Sequence, residues 1–292
     1  MKQKEIALGS RYFKSGDLGP CDKDNEPING YPLAAPPSLG PSAPVVASAL
    51  EQGLMALAHG MPAAYAPSAV ARGSLWSSMR RLGPKGRYSR DADVRGGGAA
   101  AVYTRAVVAC MRKWNAGGHG VGSGEGRAQL IIDPHGLFED DDRWHCASLD
   151  NMGFAPGAKA ARVAPGEINA AWKCQTRAQR LRALNDLMKT GSMAHNNELM
   201  HWEELSLEGR LLGVFIAGTK PAYLQPFKDH ANFMTDIPDG VYAPAVQASP
   251  PRGCIRVGST DQWVPVYSIP KADINISGWI REASRKARAA RV

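Results

Sequence analysis

Leu211-Leu212-Gly213-Val214-Phe215-Ile216-Ala217-Gly218 marks the point where the chain changes character. It is a short apolar run closed by glycine and then by Pro221, so it reads as a strand. Three more short runs follow it, Gly240–Gln247, Gly253–Gly258 and Trp263–Ile269, and each reads as a strand as well. The chain then closes with a basic helix, Ser277 to Arg291.

Upstream of Leu211 the apolar residues fall mostly at helical spacing. In Val45–His59 these are Val46, Leu50, Leu54 and Leu57, with Ser42 as a candidate cap. Ser68–Leu82 is a weaker helix, ending at Arg80 and Arg81 before Gly83-Pro84. In Gly98–Trp114, Val102, Ala106 and Cys110 stand four apart, beside a row of Val107, Met111 and Trp114. Gly166–Lys189 and Ala194–Leu207 are the remaining helical stretches, and Ala128–Ile132 is the one buried strand expected among them.

The resulting expectation is an α+β fold with a mainly helical first two thirds, a short-stranded β region near 211–270 and a basic C-terminal helix. Residues 16–44 are dense in proline, glycine, asparagine and aspartate, which cannot hold a helix or a central strand. Residues 1–44 therefore read as a long irregular N-terminal arm. Residues 45–210 follow as a helical region, and 211–292 as a small β-rich region closing with the helix.

The 292 residues carry a net charge of +8, with 31 glycines and 21 prolines. Such an excess favours acidic partners, nucleic acid foremost. The charge is uneven. One basic run holds Arg80, Arg81, Lys85, Arg87, Arg90 and Arg95; the other is the last helix, with Arg281, Arg285, Lys286 and Arg288. Arg281, Arg285 and Arg288 share a helical face, where they could follow phosphates or an acidic groove. The five cysteines are widely and irregularly spaced without a CxxC pair, so reduced thiols are expected. No signal peptide and no membrane-spanning helix is expected, which suggests the cytoplasm or an assembled particle.

The glycine-rich stretch 116–127 follows a helix-like segment and precedes a strand. That is the reverse of a dinucleotide fold, and no Gly-Lys-Ser/Thr is present, so no nucleotide cofactor is expected. Asp133, His135, Asp140, Asp141, Asp142 and His145 match no metal-ligand spacing, and no metal is expected. Glu198 and His201 fall one ligand short of the zinc-protease motif, because Asn197 stands where its first histidine belongs.

The sharpest motif is Ser249-Pro250-Pro251-Arg252-Gly253-Cys254-Ile255-Arg256, which resembles the catalytic segment of L,D-transpeptidases. Thr235–Tyr242 resembles a second strand of that family. The resemblance implies Cys254 as nucleophile, His230 as base and Arg256 as the group that holds substrate carboxylate. Arg252 replaces the family's histidine, and the similarity covers only this short part of the chain.

Two functions follow as expectations. The first is a non-catalytic assembly subunit of a larger particle or nucleoprotein complex, for example of phage type. Its partners would be other protein subunits, and its basic residues Arg80, Arg81, Lys85, Arg87, Arg281, Arg285, Lys286 and Arg288 would face nucleic acid or another polyanion. The alternative is a cysteine-dependent enzyme acting on peptide or peptidoglycan through Cys254.

Overall fold

The computed structural model describes residues 55–82, 101–108, 125–137, 145–148, 198–246, 248–270 and 276–290. Their centre is a mixed sheet. Its inner strands are β1 (Met55–Pro62), β3 (Ala101–Val108), β4 (Arg127–Ile132), β8 (Leu211–Ala217) and β11 (Trp263–Ile269). With β5 (His145–Ser148), β6 (Glu198–Trp202), β9 (Phe233–Met234) and β10 (Gly253–Arg256), the order is β5-β6-β3-β1-β4-β8-β11-β10-β9. The β8–β11 pair is parallel and the others are antiparallel. A separate two-stranded pair joins β2 (Ser74–Trp76) to β7 (Glu204–Ser206).

β4 and β8 are buried on both faces because helices cover both sides. On one face Leu57, Leu130, Val214 and Ile216 pack with Ala66 and Val70 of α1 (Ala66–Arg72) and with Leu224 and Phe227 of α3 (Pro221–Lys228). On the other, Ala58, Ile131, Phe215 and Tyr267 lie under Trp279, Ile280 and Ala283 of α4 (Ser277–Ala289). A short helix α2 (Ser78–Leu82) completes the described elements. Each fully buried large side chain contributes roughly 1.5–3 kcal/mol through removal of apolar surface from water.

Gly213 is the residue that lets α4 approach. A Cβ there would lie 2.9 Å from the Trp279 ring and 3.3 Å from the Pro265 carbonyl. The register shifts beside it, with Ile131 opposite Gly213 and Ile132 opposite Leu211, so Leu212 is an extra residue in β8.

The mainly helical first two thirds is therefore corrected. The part of Val45–His59 that is described belongs to strand β1, the part of Gly98–Trp114 is β3, and the part of Ala194–Leu207 is β6 and β7. Ser68–Leu82 is two short helices with β2 between them. The physical reason is that residues four apart share a face in a strand as well as in a helix. Val102, Thr104, Tyr103 and Val107 carry the β-branched and aromatic character that favours the strand.

The β4, β8, β10 and β11 expectations match the observed strands, and the closing helix matches α4. Gly240–Gln247 is irregular instead, with one isolated bridge between Val246 and Ser249. The boundary placed after residue 210 falls inside the sheet, because β4 pairs with β8. Residues 1–44 and the helix expected at 166–189 lie outside the described residues. No helix among those described is long and apolar enough to cross a membrane.

Candidate functional site

The segment Ala66-Pro67-Ser68-Ala69-Val70-Ala71-Arg72-Gly73-Ser74-Leu75-Trp76-Ser77 folds tightly, for local reasons. Proline in the first turn starts α1, and Gly73 ends it in the left-handed conformation, φ 76°, with its N–H donating to Val70 O. β2 follows, and then the Ser77 hydroxyl accepts the Arg80 N–H at 3.1 Å, which caps α2. This helix–strand–helix turn sets Arg72 and Arg80 against Trp76, with Arg81 next in the chain.

The Arg72 guanidinium lies 4.1 Å from the Trp76 ring centroid and that of Arg80 lies 4.8 Å away. Arg72 also donates to Ser74 O at 3.0 Å, and Arg80 forms an ion pair with Glu204 of β7. Burial holds the Arg72 guanidinium below its ordinary pKa; Glu204 opposes this, and Arg80 and Arg81 reinforce it.

Arg127, the first residue of β4, extends the group. Its Nη2 reaches Gly60 O at 3.5 Å, at the limit of a hydrogen bond, and its Nε is buried with no partner. Next to it, His59 Nδ1 meets Tyr103 O at 2.7 Å. Burial pushes the His59 pKa down, the bond to Tyr103 pulls it up, and the charges of Arg127 and Arg81 lower it further. His59 is therefore a neutral donor to Tyr103 near pH 7. Arg81 acts on both His59 and Arg72, and Arg127 on His59, so these cations share one electropositive neighbourhood.

The C-terminal helix divides its cations. Arg288 points inward, with Nη2 donating to Asp133 Oδ1 at 2.9 Å and Nε to Oδ2 at 3.1 Å; Asp133 is fully buried. Arg285 lies against Glu282, at 2.9 and 2.5 Å. Lys286 lies 5.1 Å from the Tyr242 ring. Arg281 Nε is buried without a partner. Of the polyanion residues expected here, Arg285 and Lys286 are exposed, whereas Arg288 is held in a structural ion pair. Lys85 and Arg87 lie outside the described residues.

The cysteine motif takes a different form from the one its resemblance implied. Cys254 sits in β10, fully buried, and its thiol donates to Asp236 O at 3.3 Å. Burial, with a smaller contribution from Asp236, pushes its pKa up to about 11. His230 Nδ1 accepts the Asn232 N–H at 3.2 Å, while Arg256 is exposed. The hydrogen bonds of Cys254 and His230 thus run to separate partners, and Thr235–Tyr242 forms no strand.

Gly253 has φ +145°, and a Cβ there would collide with Met234 O, so the Gly-Cys pair is explained by the close approach of β9. At pH 7 a thiol with that pKa is ionised to about one part in ten thousand, against a few per cent for an ordinary cysteine. Labelling of the Cys254 peptide by iodoacetamide, read by mass mapping, should be at least roughly 100-fold slower in the folded than in the urea-unfolded chain. Equal rates would contradict the burial described.

Arg72, Trp76 and Arg127 were not singled out from the sequence. The available signal was the pairing of Trp76 with arginines four residues to either side. No protein-family model and no curated protein sequence matches the chain.

Proposed function

We propose that this protein is a non-catalytic subunit of a larger assembly, with other protein subunits as partners and its basic surface set against nucleic acid. The observation that supports this best is the cluster of cations at Trp76: Arg72 and Arg80 lie against one ring, Arg81 and Arg127 both act on the neighbouring His59, and among the described residues Glu204 forms an ion pair with Arg80. A folded chain gains nothing from bringing like charges together; a polyanion does. The buried, protonated Cys254 gives no comparable support to thiol chemistry. Such a subunit would work in the cytoplasm or within an assembled particle.

Light scattering of the full chain, alone and with nucleic acid, tests the reading. A mass above that of the monomer, increasing further with nucleic acid, is expected. A monomer under both conditions would overturn it.

A further inference from the structure

We infer that the guanidinium groups of Arg72 and Arg80 on the Trp76 ring, with Arg81 and Arg127 beside His59, bind the phosphodiester backbone of nucleic acid without regard to base sequence. This rests on the proposed contact with nucleic acid, and adds which surface makes it and what that surface recognises.

Charge density favours this ligand. Arg72 and Arg80 lie 4.1 and 4.8 Å from the centroid of one ring, and Arg81, next to Arg80 in the chain, influences both Arg72 and His59. Duplex DNA carries one negative charge per about 1.7 Å of axis. An acidic peptide supplies at most one per residue, about 3.3–3.6 Å of extended chain. The closely set arginines match the denser ligand, and their planar forks suit phosphate oxygens.

Trp76 explains the indifference to sequence. Its ring already carries Arg72 at 4.1 Å and Arg80 at 4.8 Å, so it holds the guanidinium groups in place instead of receiving a base. Its Nε1 is buried as well, and turns no donor to a base edge. Trp76 is thus a positioning residue, and Glu204 a competitor that the phosphates displace from Arg80.

The test measures fluorescence anisotropy of a short mixed-sequence DNA duplex, and of its scrambled counterpart, with the full chain from about 50 to 200 mM salt. Each phosphate contact contributes about 0.9 to the slope of log K against log salt. Arg81→Gln and Arg127→Gln should each reduce the slope by about that amount and weaken binding at the lowest salt. Arg81→Lys, which keeps the charge, should preserve the slope, and Glu204→Gln should tighten binding. The two duplexes should bind alike.

If Arg81→Gln and Arg127→Gln leave the slope unchanged while Arg285→Gln with Lys286→Gln abolishes binding, the site is wrong and the nucleic-acid reading stands. If the unaltered chain binds neither duplex, that reading fails together with the site. Preference for polyglutamate or for phosphatidylserine vesicles over DNA would overturn the ligand assignment.

Discussion

Replacement of Trp279 by alanine should lower the folding stability by about 3–5 kcal/mol, one of the two largest single-residue effects expected in this protein. The indole fits the space left by Gly213 and meets Phe215 edge-on at 5.0 Å and Tyr267 edge-on at 6.1 Å. Phe215 and Tyr267 are themselves stacked at 4.7 Å. Trp279 Nε1 donates to the Tyr267 hydroxyl at 3.1 Å, and that hydroxyl donates to Pro244 O at 3.0 Å. Truncation therefore opens a cavity, removes two aromatic contacts and breaks one end of a buried hydrogen-bond chain. Urea denaturation reads the loss, and Trp279→Phe should recover part of it. A change below about 1 kcal/mol for Trp279→Ala would mean that α4 is not packed on this face of the sheet.

The second large effect belongs to Asp133. Its carboxylate is fully buried, accepts the His135 N–H at 3.1 Å and takes both bonds from Arg288, whose side chain is 16% exposed. Asp133→Ala leaves the guanidinium buried without its counter-charge, at a cost of about 3–5 kcal/mol. Removal of both charges in Asp133→Ala with Arg288→Met should restore much of that stability, because no unpaired charge then remains. If the double variant is as unstable as the sum of the two single changes, the pair is not coupled as described. A bidentate pair this far inside also explains why Arg288, which looked in the sequence like a surface cation, is unavailable to an external polyanion.

The legible parts of the fold were those where composition and length agreed. Leu211–Ala217 and Ala128–Ile132 are short, apolar and closed by turn-forming residues, and they are the two central strands. Trp263–Ile269 and the closing helix were equally clear. Misreading came where alanine diluted the pattern. In Met55–Pro62 and Ala101–Val108, spacing by four satisfies either periodicity, and only pairing with β4 and β6 decides it. Leu205 and Leu207 alternate with exposed or half-buried neighbours, which was the period-two signal overlooked there. Helix α3 was not expected; its Pro221 occupies an opening position, where the missing N–H costs nothing.

The site was legible only in part. Arg80 and Arg81 stood out as charge, but Arg72 and Arg127 join them through chain reversal and strand order, which local pattern does not encode. Cys254 shows the opposite case. A segment with most of the motif's letters lies within β10, where the thiol is buried and bonded to Asp236 O, and the glycine before it is required by the approach of β9. The resemblance extended to Thr235–Tyr242, but nothing in it marked Asp236 as the residue whose carbonyl takes up the thiol.

The central claim is that the electropositive surface binds a polyanion through charge and not through base reading. A salt titration of duplex DNA binding by the unaltered chain tests this most directly. Log K should fall linearly with log salt, with a slope of about −0.9 for each phosphate neutralised. Binding that is absent, or that holds constant from about 50 to 200 mM salt, would contradict it.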